Sequence, residues 1–213
     1  MKLSARTTAT FTLGLLTAAV LAGCATTTIS EPAPSPSVSV DRQAAAVSAC
    51  AAGKDCAIGD IGPGGGMVFY DAGSTQSGGR SMETAPASWN GGTEDPKAVW
   101  CGENVDIAGA LGVSVGSGAA NTSAIVAACA TSAASLADKY DGGDKTDWFL
   151  PSRDELIELK KHGKIVDRVG AGQYWSSSQK YAYNAWYQDF TNSGVTKYTD
   201  KSIAYGVRPV RAF

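Results

Sequence analysis

The sequence is poor in the histidines and closely spaced cysteines that zinc sites need. It contains a single histidine, His162, and none of its five cysteines forms a CxxC pair. Zinc sites in proteins are built from closely spaced cysteine and histidine ligands. Because no such ligand pattern surrounds His162, the sequence argues against a zinc site.

Positive charge is also scarce. The 213 residues include 18 lysines and arginines against 20 aspartates and glutamates, and they contain no basic stripe of the kind that binds nucleic acid. We therefore expect no nucleic-acid partner. The 25 glycines, together with many serines, threonines and tyrosines, favour a loop-rich exported module.

An apolar run near the N-terminus is too short to cross a membrane, because a transmembrane helix needs about 20 apolar residues. The run covers residues 11–21 and follows Lys2 and Arg6, and Ala22 and Gly23 then lead to Cys24. This order is typical of a bacterial lipoprotein signal, which is removed before the cysteine is acylated. We predict that residues 1–23 are the signal peptide and that Cys24 carries the lipid. The anchor would place the protein on the outer side of the cell membrane.

Large apolar side chains are almost absent from residues 24–49. This stretch is rich in threonine, serine and alanine, and Pro32, Pro34 and Pro36 occupy alternate positions. Such a composition does not bury enough apolar surface to offset the entropy of ordering the chain. We predict a disordered tether over residues 24–49 and one folded domain over residues 50–213.

Four cysteines remain once Cys24 is assigned to the lipid, namely Cys50, Cys56, Cys101 and Cys129. An even number of cysteines in an exported domain favours two disulfides, and four cysteines allow three pairings. We favour Cys50 with Cys56, which closes a small loop. The other pair, Cys101 with Cys129, would tie a loop to a helix.

Two helices are predicted from the apolar pattern. Apolar residues recur at spacings of three and four over residues 121–140, where Asn121 or Thr122 can cap the helix. Ser152 and Glu155 form the capping box of a second, shorter helix.

Strands are predicted on both sides of these helices, at residues 67–70, 81–85, 174–178, 184–190, 195–198 and 205–210. The large side chains of residues 148–150 are expected to enter the core. Strands, then helices, then strands again indicate an α+β domain.

The strand predicted over residues 184–190 is the main candidate for a binding surface. Alternation along it places Trp186 and Phe190 on one side and Tyr187 and Asp189 on the other. If the Trp186 side is core, the Tyr187 side faces solvent and combines a phenol ring with a carboxylate, a mixture that suits sugars. We predict a ligand-binding surface made of Tyr183, Asn184, Tyr187 and Asp189.

Three aspartates at three-residue intervals form a candidate calcium site, namely Asp141, Asp144 and Asp147. Hard cations such as calcium take oxygen ligands from glycine-containing loops of this kind. The spacing differs from that of an EF-hand, and a solvated turn after a helix explains the same residues. We keep calcium as the one candidate cofactor.

One motif points to a hydrolase. Gly112, Ser114 and Gly116 match the G-x-S-x-G nucleophile elbow, with His162 downstream. An elbow needs a buried strand before the serine and a helix directly after it, whereas the sequence on both sides of Ser114 is rich in glycine and alanine. We therefore predict that the protein is not an enzyme.

Five blocks occur in order along the domain: IGDIGPGGGMVFY (58–70), GAANT (118–122), TDWFLPSRDEL (146–156), YWSSS (174–178) and VRPVR (207–211). Together they resemble a bacterial extracellular domain family that includes the C-terminal domain of collagen-like adhesins. The resemblance implies a C-type lectin-like fold. Such a fold has a small twisted antiparallel sheet, two flanking helices and long loops.

The TDWFLPSRDEL block is also similar to the helix start of formylglycine-generating sulfatase-modifying factors, which share this broad fold. Those enzymes use reactive cysteines near the C-terminal end, and this sequence has no cysteine after Cys129. The Gly-x-y repeats of collagen-like adhesins are missing as well, so no trimer is implied. We expect a non-catalytic domain that recognises a glycan or a cell-surface protein. A structural or envelope-assembly lipoprotein is the alternative, and an enzyme comes third.

Overall fold

The computed structural model describes residues 50–213 apart from residues 77–78, 88, 103, 164–168, 170 and 192–193. The described residues all belong to one compact unit of the chain. The predicted signal peptide, Cys24 and the tether lie outside the described residues and stay predictions. Within the described part of the chain, no helix is long and apolar enough to cross a membrane.

The described residues form an α+β domain, which confirms the predicted class. Its strands are β1 (Met67–Gln76), β2 (Gly79–Thr84), β3 (Lys97–Val99), β4 (Gln173–Tyr181), β5 (Asn184–Asp189), β6 (Thr196–Asp200), β7 (Ala204–Gly206) and β8 (Val210–Ala212). Its α-helices are α1 (Gly118–Ala128), α2 (Ala133–Asp138) and α3 (Arg153–Lys161). Short 3₁₀ turns cover Ala108–Ala110 and Gly142–Asp144.

The strands are divided between two sheets. One is antiparallel with the order β1–β2–β8, and the other has the order β3–β7–β4–β5–β6 with β4 and β7 parallel. Residues 205–210, predicted as one strand, contribute to both sheets as β7 and β8. Pro209 has no N–H to donate to a strand ladder, and the side chain of Arg208 turns inward to reach Asp95. The chain therefore changes sheets at this point.

The core has two main parts. The first lies between the five-stranded sheet and helices α1 and α2, and its large buried residues include Trp100, Ile125, Leu150, Trp175 and Val207. The second joins the three-stranded sheet to α3 through Phe69, Met82, Phe149, Leu156, Leu159 and Val210. Residues 148–150 are all buried, as the sequence predicts. Full burial of a large apolar side chain contributes about 1.5 to 3 kcal/mol, so this block anchors both parts of the core.

The helix predicted over residues 121–140 is in fact two helices. Helix α1 ends before Cys129, whose backbone is extended, with φ of −133° and ψ of 95°. Cys129 is bonded to Cys101, and Ser132 then caps α2 by accepting a hydrogen bond from the backbone N–H of Ser135. The apolar spacing continues through the break because both helices face the same core, so periodicity alone does not reveal it.

The residues predicted to cap the first helix lie inside it instead. Helix α1 begins at Gly118, and both Asn121 and Thr122 are buried. Asn121 donates to the carbonyl of Gly112 at 2.6 Å, and Thr122 exchanges hydrogen bonds with the backbone of Leu150. Their polar side chains therefore tie α1 to neighbouring segments.

The predicted capping box of α3 is confirmed. The Ser152 side chain accepts from the N–H of Glu155, and the Glu155 carboxylate accepts from the N–H of Ser152 at 2.7 Å. The same carboxylate also accepts from the N–H groups of Gly116 and Gly118. Burial raises the pKa of Glu155, and these backbone donors oppose the rise. Glu155 thus fixes the loop before α1 to the start of α3.

A second buried carboxylate holds the glycine-rich turn before β1. Glu83 accepts from the N–H groups of Gly64 at 2.8 Å and Gly66 at 2.9 Å. A Cβ atom added to Gly66 would lie 2.3 Å from the carbonyl oxygen of Thr84, which leaves no room for a side chain. The turn therefore needs glycine because the backbone passes so close to β2.

The structure contains the two disulfides that the sequence favours. Cys50 is bonded to Cys56, and Cys101 is bonded to Cys129 with the Cα atoms 5.8 Å apart. The first disulfide packs with Val68 and Phe213 in a small cluster. The second lies in the core beneath α1 and α2. Each disulfide therefore joins buried parts of the domain.

Candidate functional site

On β5 the sides predicted for Trp186 and Tyr187 are exchanged, whereas Phe190, also predicted to face the core, packs against the second core cluster. Tyr187 and Ala185 point toward the first core cluster, where the Tyr187 ring lies 6.3 Å from Trp175 and 4.8 Å from Tyr205 between centroids. Trp186 is half-buried on the opposite face and belongs to neither core cluster. Ala185 is completely buried, and its small side chain lets the core approach β5 closely.

The four residues predicted to bind a ligand do not lie together. Tyr183 and Asn184 are at the start of β5, and Asp189 is its last residue. Five residues of strand correspond to about 16 Å, which is too far for one small site. Hydrogen bonds from the side chain and backbone of Thr191 lower the pKa of Asp189, so this carboxylate is engaged in its own turn.

Around Trp186, aromatic and cationic side chains from β4, β6 and the start of α3 come together in a group that we call the aromatic surface: Arg153, Lys180, Tyr181, Trp186 and Tyr198. Trp186 and Tyr198 meet edge to face with ring centroids 5.3 Å apart, and Tyr181 meets Tyr198 in the same way at 5.9 Å. The side chains of Tyr181 and Tyr198 are 54% and 48% exposed. Large rings this exposed are available to a ligand.

Strand register explains why these rings gather. Trp186 and Tyr198 are directly opposed across the β5–β6 pair, and Tyr181 is opposed to Asn184 across the β4–β5 pair. Cross-strand aromatic pairs of this kind stabilise a sheet and orient the rings. Helix α3 covers the other end of this face, where Phe190 joins the second core cluster. The aromatic surface is the part of the face that lies beyond the helix start at Arg153.

Two cations border the Trp186 ring. The guanidinium carbon of Arg153 and the ammonium nitrogen of Lys180 each lie 5.2 Å from its centroid, and Lys180 is also 5.0 Å from the Tyr181 ring. Arg153 is paired with Asp154 at 2.7 Å. The surface therefore offers ring faces for apolar contact and charged donors for hydroxyl or carboxylate oxygens.

A groove of about 1130 Å³ lies elsewhere, between the loop before β3 and the starts of β4 and β7. Asp95 and Arg208 form part of its wall, where they make a buried ion pair at 2.6 Å. Of its two tyrosine rings, Tyr174 is only 5% exposed. The groove thus offers few ring faces, and we place the candidate site on the aromatic surface.

The three aspartates of the candidate calcium site have different surroundings in the structure. Asp147 forms an ion pair with Arg211, which in turn contacts the buried Glu83 at 3.0 Å. Asp141 precedes the 3₁₀ turn that contains Asp144. Among the described residues, no group of three or more acidic, histidine or cysteine side chains is arranged to hold a metal ion. Calcium binding by these three residues therefore has no support from their arrangement and stays a prediction.

The hydrolase motif has the surroundings that the sequence indicates. Ser114 is exposed in a bend that follows a 3₁₀ turn, and its carbonyl accepts a hydrogen bond from the Ser152 hydroxyl. His162 is the residue after α3 and ends that helix. The segment before Ser114 is thus no elbow strand, and α1 begins only at Gly118.

Only part of the aromatic surface could be predicted from the sequence. Tyr183 and Asn184 lie beside it, and Tyr198 and Trp186 stand in strands that the pattern predicts. A small residue, Ala185, between larger ones was the one signal that could have assigned the faces correctly. Arg153 is the first residue of α3, far from Trp186 in the sequence, and only the tertiary structure brings the two side chains together.

Comparison with known protein families gives a match over the part of the chain that holds four of the five sequence blocks. A family model described as the Lcl C-terminal domain matches residues 83–211, which is more than half of the chain. The matched part runs from β2 to β8 and includes the whole aromatic surface. No curated protein matches the sequence. The chain therefore belongs to the Lcl C-terminal domain family.

Proposed function

We propose that this protein is a lipid-anchored surface protein whose C-terminal domain binds carbohydrate through the aromatic surface without catalysing a reaction. The observation that supports this most is the exposure of Tyr181 and Tyr198 beside Trp186 on one sheet face. Membership of the Lcl C-terminal domain family fits a non-enzymatic extracellular domain.

The chemistry of the surface suits a sugar ring. The C–H face of a pyranose is apolar and packs against aromatic rings, while its hydroxyls need hydrogen-bond partners. Lys180 and Arg153 supply donors at the border of Trp186, and Asn184 supplies an amide next to Tyr181. A monomeric soluble domain rarely leaves a contiguous group of large rings uncovered unless they contact a partner.

Removing the two outer rings should abolish most of the binding. The Tyr181→Ala/Tyr198→Ala double variant is expected to bind at least about fivefold more weakly, because each lost ring contact contributes about 0.5 to 1.5 kcal/mol. A glycan array with neutral and acidic sugars would identify the ligand, and titration calorimetry on the best hit would compare the variant with the wild type.

Leu111→Ala is the matched control, because Leu111 is 52% exposed but lies outside the aromatic surface. It should leave the affinity unchanged. Equal affinity of the double variant and the wild type would contradict the proposed site. A folded domain that binds no glycan on the array would instead support a structural role in the envelope.

The anchor is tested separately through Cys24. Cys24→Ala is expected to remain unprocessed or to appear in the soluble fraction, because Cys24 is both part of the processing signal and the residue that carries the lipid. Membrane fractionation and mass spectrometry of the N-terminal peptide measure the two effects. Cys50→Ala serves as the control for loss of a cysteine elsewhere. A Cys24→Ala protein that is processed and membrane-bound like the wild type would rule out the lipoprotein assignment.

A further inference from the structure

A lysine is completely buried next to the β5–β6 hairpin. Lys201 follows β6, and its side chain is 0% exposed. Its ammonium nitrogen donates to the carbonyl of Val105 at 2.7 Å and to Oε1 of Gln179 at 2.6 Å, and it lies 4.5 Å from the centroid of the Trp100 ring. Lysine is rarely buried so completely, so this position needs an explanation.

The partner of this lysine is a glutamine held at both ends of its carboxamide. Gln179 is 2% exposed, and its Oε1 accepts a second hydrogen bond from the backbone N–H of Ile107 at 3.0 Å. Its Nε2 donates to the carboxylate of Asp106. The Ile107 N–H is therefore positioned to stabilise negative charge on Oε1, and Asp106 is positioned to protonate Nε2 as it leaves.

The amine is also prepared for attack. Burial lowers the pKa of Lys201 to about 8, and the charge of Asp106 opposes this shift. A substantial fraction of the amine is thus neutral under mildly alkaline conditions, and a neutral amine is a nucleophile. The fold also holds it within hydrogen-bond distance of the carboxamide, which replaces a bimolecular encounter with an intramolecular one.

We propose that Lys201 and Gln179 form an intramolecular isopeptide bond, with Asp106 as the catalytic proton carrier. The neutral Nζ of Lys201 attacks Cδ of Gln179, and the Cδ=O electron pair moves to Oε1. Asp106 accepts the proton from Nζ and donates it to Nε2. The Cδ–Nε2 bond breaks as the carbonyl re-forms, and ammonia leaves. The products are one secondary amide and one ammonia, so no oxidant or cofactor is needed.

The bond would serve the surface described above. It would join the end of β4 to the residue after β6, and so enclose the β5–β6 hairpin that carries Trp186 and Tyr198. A covalent loop cannot be pulled open by separating the strands. The inference stands independently of carbohydrate binding, because its chemistry involves only residues on the other side of the strands.

Peptide mapping of the wild-type full chain tests the proposal. After denaturation and reduction, trypsin should release residues 169–180 joined to residues 198–211, because the Arg208–Pro209 bond resists trypsin, with a mass lower than the sum of the two peptides by one ammonia, about 17 Da. Lys197→Arg, which changes an exposed lysine four residues earlier, should keep the joined peptide. Lys201→Arg should lose it, and Asp106→Asn should reduce its yield at least about tenfold.

The unmodified wild type decides the outcome even if a variant fails to fold. Separate peptides of unchanged mass, after the folded protein has been held for a day at about pH 9, would overturn the proposal. Conversion of Gln179 to glutamate without a link would overturn it as well, because water rather than Lys201 would then be the nucleophile.

Discussion

Arg208→Ala is expected to lower the free energy of unfolding by about 3 to 5 kcal/mol, because it leaves a buried carboxylate without its counter-charge. The side chains of Arg208 and Asp95 are 1% and 3% exposed, and they meet at 2.6 Å. Arg208 also donates to the carbonyl of Ala85 at 2.8 Å, which ties the chain after β7 to the end of β2. Urea unfolding followed by circular dichroism measures the loss.

The deficit of this variant should depend on pH. Burial already raises the pKa of Asp95, and loss of the guanidinium raises it further. A carboxyl group whose folded-state pKa lies above its unfolded value favours the folded state when protonated. The stability gap between variant and wild type should therefore shrink as the pH falls from about 7 to about 5. If the stability gap stayed constant or widened, the unpaired Asp95 carboxylate would not be the cause of the lost stability.

Arg80→Ala is the matched control. Arg80 pairs with Asp71 at 2.9 Å, but the two side chains are 43% and 25% exposed, so water replaces the lost partner. Its unfolding midpoint should stay close to that of the wild type. If both variants lost the same free energy of unfolding, burial would not be the reason why the Arg208–Asp95 pair stabilises the domain.

Removal of the Cys101–Cys129 disulfide should have a similarly large effect. The Cys101→Ser/Cys129→Ser variant is expected to lose about 3 to 4 kcal/mol, because the bond closes a loop with a sequence separation of 28 residues and so restricts the unfolded chain. The same bond holds the break between α1 and α2, so the helices should also lose packing against the sheet. Thermal unfolding at one fixed protein concentration measures the change.

The Cys50→Ser/Cys56→Ser variant is the comparison. Its loop has a sequence separation of only six residues, and the same relation gives about 2 kcal/mol. We therefore predict that removal of the Cys50–Cys56 disulfide costs less stability than removal of the Cys101–Cys129 disulfide. Non-reducing peptide mapping should also recover both disulfides from the wild type, and a Cys50–Cys101 link or four free thiols would refute the pairing.

Features that depend on neighbouring residues were predictable from the sequence. The capping box of α3 is local, because Ser152 and Glu155 satisfy each other within one turn. The break between α1 and α2 was not, because it depends on a bond from Cys129 to Cys101. Likewise, three-residue strands such as β3 are too short to show a period, and a neighbouring strand in the sheet defines them.

The candidate site shows the same limit. Strand alternation correctly separates Trp186 from Tyr187, but it does not say which side meets the core. That choice depends on the helices that cover each face, and here α1 and α2 cover the Ala185 side. Buried charges such as Arg208 and Lys201 were missed because sequence patterns treat charge as a mark of the surface.

The two ends of the domain lie side by side, since Phe213 packs against the Cys50–Cys56 disulfide and its backbone pairs with Ser81. Neighbouring termini tolerate circular permutation. A short linker from Phe213 to Cys50, with new ends opened at the exposed turn of Gly91, would preserve every buried contact named above. The point of attachment to a carrier would then move to another side of the domain. Circular permutation would thus change the direction in which the domain presents its outer face without altering the core.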